Sequence, residues 1–148
     1  MSGIRAVLRV FAASMLAGVI LCAAPVRADT MPEEQRTALR GLVQQQLDAF
    51  QRDDGATAFS FAGTRVHTIF PDADTFMRMV RDSYPPVYRP RSVVFGQLVD
   101  TASGPIQVVY LGGQDGVGYV ALYTFEKLTD GSWRIAGCLL AKNPGDPI

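Results

Sequence analysis

The chain has 148 residues with 14 basic and 14 acidic side chains, so its formal net charge is zero. This length suits one domain with its own hydrophobic core. The balanced charge and the absence of a long basic run argue against nucleic-acid binding, because neutralisation of phosphates supplies most of that affinity.

The first 28 residues have the layout of a secretory signal peptide. Arg5 and Arg9 form a short positive region, and residues 10–24 are an almost unbroken apolar run. Val26 and Ala28 then place small side chains at the two positions that a signal peptidase recognises. The segment is too short and wrongly flanked for a stable membrane anchor, so we predict cleavage near Ala28 and a periplasmic or secreted protein.

Cleavage at this position would leave residues 29–148 as a single domain. The removed segment holds three of the 14 basic residues and no acidic one, so the mature domain would have a net charge of −3. Lipidation at Cys22 is an alternative, although Leu21 before it is too large for a good lipidation motif. Only Cys138 would remain in the mature domain, which could then form no internal disulfide.

Helical periodicity fills the first half of this domain. Apolar residues recur at three- and four-residue steps over residues 39–50, which predicts an amphipathic helix that begins near Glu33 and has about five turns. Thr30 and Glu33 are spaced as a capping box at its start. A second, shorter helix is predicted over residues 56–62, while residues 64–70 can be read as helix or loop.

A third helix is predicted to begin at Asp72 or Asp74, either of which can accept a hydrogen bond from a first-turn amide. Its apolar side carries Phe76 and Val80. Pro85 and the proline after it are predicted to end this helix, because proline cannot continue the backbone hydrogen-bond ladder.

From Ser92 onward the apolar period changes from about 3.6 to about 2 residues, which indicates strands. Four runs separated by turn residues are predicted as strands: residues 92–99, 106–111, 118–127 and 132–140. Short connections between successive strands imply antiparallel hairpins. Helices followed by a four-stranded antiparallel meander predict an α+β fold.

The last two predicted strands carry apolar residues on both faces. In the third strand, one face holds Tyr119, Ala121, Tyr123 and Phe125, and the other holds Val120 and Leu122. In the fourth strand, regular alternation would place Trp133, Ile135 and Leu139 on one face and Ala136, Cys138 and Leu140 on the other. A one-sided sheet would alternate apolar with polar residues. We therefore predict that the second face is covered, by a homodimer packed sheet to sheet or by a loop or tail of the same chain.

Helices followed by a meander, together with the ending over residues 125–135, resemble the cone-shaped, cystatin-like fold of nuclear transport factor two and ketosteroid isomerase. Residues 46–50, 76–80 and 84–91 resemble an uncharacterised family of small exported bacterial proteins, a domain of unknown function, over nearly the whole mature chain. The resemblance implies N-terminal helices packed on a curved sheet that often encloses an apolar pocket, and it implies no accepted activity.

The sequence contains no recognisable catalytic or metal-binding motif. Ketosteroid isomerase chemistry needs a carboxylate held in apolar surroundings, and Asp48, Asp100 and Glu126 are not placed that way. Residues 72–74 start like a calcium loop but lack its later glycine and glutamate. We therefore predict no catalytic residue, no metal and no cofactor.

Local structure does not fully explain the segment from Tyr84 to Arg91. Tyr84, Tyr88, Arg89 and Arg91 lie on a proline-stiffened link between the last helix and the first strand. Arginine forks suit carboxylates and phosphates, and tyrosine offers an apolar face with a hydroxyl. Together with His67, these residues are predicted to bind a small anionic or amphipathic ligand. The alternative is that the arginines pair with surface acids while the tyrosines cover the edge of the core.

The sequence thus favours a non-enzymatic small-ligand-binding or accessory domain. One alternative is an enzyme acting on a small hydrophobic substrate inside the cone pocket. Another is a protein–protein interaction module that uses the apolar outer face of the sheet.

Overall fold

The computed structural model describes residues 31–145, in which helices precede strands. The helices are α1 (Glu33–Gln51), α2 (Gly55–Ser60), α3 (Thr64–Ile69), α4 (Ala73–Ser83) and α5 (Pro85–Tyr88). The strands are β1 (Ser92–Thr101), β2 (Gly104–Gly112), β3 (Gly118–Lys127) and β4 (Trp133–Lys142). Within the described range, no helix is both long and apolar enough to cross a membrane.

The helix starts follow local capping chemistry. Asp54 caps α2 by accepting a hydrogen bond from the backbone amide of Thr57 (3.1 Å), and Asp72 caps α4 through that of Thr75 (2.7 Å). Helix α1 begins after Pro32, whose side chain makes no capping hydrogen bond. The predicted capping box cannot be compared, because Thr30 lies outside the described residues.

Two segments that were not predicted as helices, one between two helices and one between the last helix and the first strand, contain helical turns. The stretch that the sequence leaves open between helix and loop contains α3. The segment predicted as a proline-stiffened link contains one helical turn, α5. Pro85 and Pro86 stand at the first positions of that turn, where the missing amide donors are not needed. Proline therefore ends α4 as predicted and also starts the next turn.

The four strands form one antiparallel sheet in the order β1-β2-β3-β4, which confirms the predicted α+β architecture. Helix α1 packs on one face, the inner face, and supplies much of the core. The buried residues of α1 include Leu39, Val43, Leu47 and Phe50. The sheet meets them with buried residues that include Val109, Leu111, Ala121 and Tyr123.

A bulge changes which residues of β4 face the core. A register shift against β3 leaves Ala136 as an extra residue in β4, and one extra residue reverses the alternation of side chains beyond it. Ile135, Cys138 and Leu140 therefore all belong to the core side, whereas Leu139 points outward and is 66% exposed. The predicted grouping of Ile135 with Leu139 is wrong, because regular alternation cannot include the bulge.

A second bulge lies in β1 and is held by a buried polar side chain. Gln107 on β2 is fully buried, and its amide nitrogen donates to the carbonyl oxygens of Gly96 (3.0 Å) and Val108 (2.8 Å). Arg40 on α1 donates to the Gln107 side-chain oxygen (3.3 Å) and to the Gly96 carbonyl (3.2 Å). The backbone groups that the bulge removes from the strand ladder are thus partly satisfied by side chains.

Candidate functional site

A cavity of about 60 Å³ lies between the helices and the inner face of β3 and β4. Apolar residues form most of its lining, with contributions from α1, α3, α4, α5 and the two strands. The side chains in this lining that carry a polar or ionisable group are those of Gln46, Tyr84, Tyr123 and Cys138. The site is therefore a mostly dry space with a few hydrogen-bonding groups, which is the general form of small-molecule sites.

Helical spacing places the cavity wall. Gln46 and Phe50 are four residues apart on α1, and Phe76 and Val80 are four apart on α4, so each pair shares one helix face. The ring of Phe76 packs near those of Phe50, Phe59 and Phe70, with centroid distances of 6.0, 5.2 and 5.6 Å. This aromatic cluster makes one wall of the cavity rigid.

The hydroxyl of Tyr123 is the principal polar feature of the cavity. Tyr123 is 1% exposed, and its hydroxyl makes no well-formed hydrogen bond with a described residue; the thiol of Cys138, a weak donor and acceptor, is the one side chain that interacts with it. Among residues 31–145, the Tyr123 and Ser92 hydroxyls are the two buried side-chain polar atoms without a well-formed hydrogen bond. Such a group costs free energy unless a partner is supplied.

Cys138 lies directly across from Tyr123 on the neighbouring strand. Burial raises the pKa of the Cys138 thiol to about 12 and holds the pKa of the Tyr123 hydroxyl well above its usual value. Both groups are therefore neutral at physiological pH. A thiol of such high pKa is a poor nucleophile, because the thiolate is the reactive form.

Gln46 supplies a third polar side chain with a fixed orientation. It is 4% exposed, and its amide nitrogen donates to the carbonyl oxygen of Ala58 at 3.0 Å. This bond ties α1 to α2 at the cavity. Because the amide nitrogen of Gln46 is used in this bond, its orientation at the cavity is fixed.

No carboxylate or arginine of the described part of the chain lines the cavity. Glu126 lies outside the lining, and its carboxylate accepts a hydrogen bond from the backbone amide of Thr64 at the start of α3. Among residues 31–145 there is also no group of three histidine, cysteine or acidic side chains that could hold a metal ion. The lining can thus donate and accept neutral hydrogen bonds, and it holds no aligned acid and base.

Of the predicted site residues, Tyr84 lines the cavity. Tyr88 and Arg89 lie in a separate surface cluster around Asp53, whose carboxylate accepts hydrogen bonds from the Tyr88 hydroxyl and from Arg89 at 2.7 Å. Arg81 adds a third contact at 3.3 Å. The hydrogen bond from Tyr88, followed by the two arginines, lowers the pKa of Asp53.

This surface cluster pairs the predicted arginine with an acid of its own domain. Asp53 follows α1 with a φ of 55°, a left-handed conformation that aspartate adopts more easily than most residues. The contacts of Tyr88 and Arg89 with Asp53 join this turn to α5. The pairing is the alternative set out above for Arg89, and a role of these residues in ligand binding stays a prediction.

The other two predicted residues lie apart from the cavity lining. Arg91 is exposed, and its backbone amide donates to the carbonyl of Gly112 at 2.7 Å where β1 begins. His67 is exposed on α3, with its ring centroid 4.0 Å from that of Phe59. The structure therefore brings Tyr84 to the cavity and leaves the other four predicted residues outside its lining.

Sequence reasoning placed Tyr123 and Cys138 on strands and assigned them no site role. A signal for Gln46 and Tyr123 is nevertheless present in the sequence. Gln46 stands at a core spacing of α1, between Val43 and Phe50, and Tyr123 stands among the apolar residues of a central strand. A polar group at a core position points either to an internal partner or to a ligand.

Comparison with known proteins places the chain in one family. A family model described as Domain of unknown function (DUF4864) matches residues 32–148, which is most of the chain. No curated protein and no solved structure matches the chain. The matched range coincides with the helices and the sheet that enclose the cavity. The chain therefore belongs to the DUF4864 family.

Proposed function

We propose that this protein is a small exported domain that binds a neutral, largely apolar small molecule in the cavity and performs no chemistry on it. The proposal includes a cone-shaped fold of the nuclear transport factor two type. It also includes export to the periplasm or beyond after cleavage near Ala28. The layout of the first 28 residues supports export, and helices packed on the inner face of a four-stranded meander support the cone.

The observation that carries the proposal is the Tyr123 hydroxyl. A fully buried phenol with no partner stronger than the Cys138 thiol costs up to about 1–3 kcal/mol, a penalty that natural cores seldom retain without reason. A ligand with a carbonyl, ether or hydroxyl oxygen would accept its hydrogen bond. Ligand binding would then remove the penalty and gain apolar contact in the same step.

The electrostatics of the lining support a neutral ligand. The residues that the structure describes give the cavity no arginine or lysine to balance an anion and no carboxylate to balance a cation. An unpaired ion in such surroundings would lose its hydration without compensation. The anionic ligand expected from the arginines of the 84–91 segment is therefore less well supported than a neutral one.

The volume limits what enters. A water molecule needs about 10–15 Å³ of this kind of volume, so 60 Å³ accommodates a group of roughly four to six non-hydrogen atoms. Val66, Met79 and Tyr84 are half-buried, which marks the side on which the cavity approaches solvent. A longer ligand would insert one end and extend past this rim.

The absence of a carboxylate from the lining favours binding over catalysis. General acid–base chemistry needs a group whose pKa lies near the working pH. The two ionisable groups of the sheet wall, Tyr123 and Cys138, have pKa values shifted away from neutrality. Their combination suits recognition of a hydrogen-bond acceptor.

The test is a titration with small methyl ketones, from 2-butanone to 2-heptanone, followed by amide shifts in heteronuclear NMR spectra. The protein is purified after expression of the whole chain. We expect the shift changes to centre on the cavity lining, and we expect Tyr123→Phe to weaken ketone binding roughly tenfold, since one hydrogen bond is lost. Pentanoate, which has similar length and a negative charge, should not bind.

Tyr110→Phe is the matched control. Tyr110 lies on the adjacent strand with its side chain on the other face of the sheet, so removing its hydroxyl should leave ketone affinity unchanged. The proposal fails if no ketone shifts the lining amides. It also fails if the Tyr123 and Tyr110 variants bind ketone as tightly as each other.

A further inference from the structure

The outer face of the sheet carries apolar residues in rows that cross the strands. The cross-strand register aligns Val94, Tyr110, Val120 and Ala141 in one row. A second row holds Val108, Leu122 and Leu139, and a third holds Val99, Ile106, Thr124 and Gly137. Among the described residues, no charged side chain lies within these rows, and the oppositely charged pair Glu126 and Arg134 borders them on β3 and β4. We refer to these eleven residues as the outer apolar face.

This face is exposed although its composition resembles a core. Val94 is 47% exposed, Val99 42% and Leu139 66%. Among the described residues, these three and Ile69 are the large apolar side chains that reach such exposure. The helices pack on the inner face, so no described helix shields the rows. A contiguous apolar patch of this kind usually marks an interaction surface.

We propose that the outer apolar face is the interface of a homodimer, in which two copies of this chain pack sheet against sheet. The two sheets would stack about 10 Å apart, with the rows of one copy interdigitating with those of the other. Apart from Gly137, which has no side chain and also lines the cavity, this interface is distinct from the ligand cavity on the inner face. The two proposals are therefore independent.

The size of the face meets the requirement of a dimer. Four strands spaced about 4.8 Å apart, each with about five residues at a rise of about 3.3 Å, project an area of about 300 Å². The accessible area of protruding side chains exceeds this flat projection. The two copies together project about 600 Å², and the protruding side chains raise the buried area toward about 1,000 Å², the value that a specific interface should clear.

The charge pattern favours a second copy over a different protein. A twofold axis lets a patch meet the same patch, so the surface must be complementary to itself. An uncharged face meets this condition at once, whereas a face that selects a different partner usually carries charges of one sign to steer it. Rows that are apolar apart from Thr124 also resemble an obligate dimer interface, which is like a domain core cut in two.

The experiment measures the mass of the intact protein in solution. The whole chain is expressed, and the purified protein is examined by native mass spectrometry and by sedimentation velocity from about 1 to about 100 µM. We expect a dimer in the wild type. Leu139→Lys should weaken it at least about 100-fold, because the interface would bury an unpaired ammonium group.

Ile69→Lys is the matched control, because Ile69 is 59% exposed on α3 and lies off the outer apolar face. It should leave the dimer intact. Val94→Lys, on the opposite edge strand, should act like Leu139→Lys, so one poorly folding variant does not decide the result. Circular dichroism checks that each variant keeps its fold.

Three outcomes would overturn the proposal. A wild-type monomer at the highest concentration would indicate that the face is covered by another part of the chain or by a different partner. A dimer that tolerates both lysine variants on the face would place the interface elsewhere. A dimer that is lost equally in Ile69→Lys would show that the effect does not belong to this face.

Discussion

Gln107 and Tyr123 face each other across β2 and β3, and both are buried on the inner face of the sheet. The amide of Gln107 donates to backbone carbonyls at the β1 bulge and accepts from Arg40. The hydroxyl of Tyr123 makes no well-formed hydrogen bond with a described residue. Two neighbouring polar side chains in one layer of the core thus differ in how completely their hydrogen-bonding capacity is used.

The difference separates a structural role from a binding role. A buried polar group with all its partners offsets its desolvation and also specifies geometry, here the position of the bulge. A buried polar group without partners adds cost and no geometry. The first kind is expected wherever a backbone irregularity needs donors. The second kind is expected where a ligand completes the hydrogen bond.

The largest expected effect comes from removing the satisfied group. Gln107→Leu keeps the volume of the side chain but leaves the Gly96 and Val108 carbonyls without this donor and removes an acceptor of Arg40. We expect the free energy of unfolding to fall by about 3 kcal/mol in urea denaturation. Gln97→Ala, at an exposed residue of the same bulge, is the control. Equal losses in the two variants would show that the Gln107 network does not hold the bulge.

An intermediate effect should follow from raising the pH. The pKa of Cys138 is about 12 in the folded protein against an ordinary value of 9.0, so the folded state keeps a proton that the unfolded state releases. The free energy of unfolding should therefore be unaffected by this group below pH 9 and fall between pH 9 and 12. The expected loss is about 2 kcal/mol at roughly pH 10.5.

Cys138→Ala isolates the contribution of the thiol in this alkaline range. Its free energy of unfolding should decline less steeply between pH 9 and 12 than that of the wild type, in denaturant titrations at matched pH values. Parallel curves for the two proteins would contradict the burial of the thiol against the cavity.

The smallest expected effect has the opposite sign. Tyr123→Phe removes a buried hydroxyl without a well-formed hydrogen bond, so the ligand-free variant should gain about 1 kcal/mol in its free energy of unfolding. Tyr110→Phe should change it little. Thermal and urea denaturation without ketone would measure both. A loss of stability in Tyr123→Phe would mean that the hydroxyl already has a partner within the protein.

Most residues of the candidate site could not be predicted from the sequence, because the site depends on which helices and strands pack against each other. Tyr84 to Arg91 is one continuous segment, yet its first residue lines the cavity while Arg89 pairs with Asp53 on the surface. The turn of α5 sends these side chains in different directions. Tyr123 and Cys138 are 15 positions apart in the chain, and the β3–β4 register makes them neighbours.

Two arginines of α1 likewise make contacts that the helical pattern does not predict. Arg36 and Arg40 fall outside the apolar positions of the helical pattern, yet Arg40 reaches over the sheet to the β1 bulge, and Arg36 donates to the carbonyl of Leu98 at 3.2 Å. A long side chain can bury its stem and still place its charged end at an exposed backbone group. Helical periodicity predicts which face of the helix a residue occupies, but it does not predict how far a long side chain extends from that face.

The sequence by itself determined α1, α2, α4, the strands, their antiparallel order and the turns between them, because these follow from local periodicity, capping and short connections. It left α3 open between helix and loop and predicted a link where the turn of α5 lies. It also determined that both faces of the sheet are rich in apolar residues. The tertiary structure decided the phase of β4 beyond Ala136, the partners of Gln107 and the isolation of the Tyr123 hydroxyl. These features arise from register and from contacts between distant segments, which no local pattern encodes.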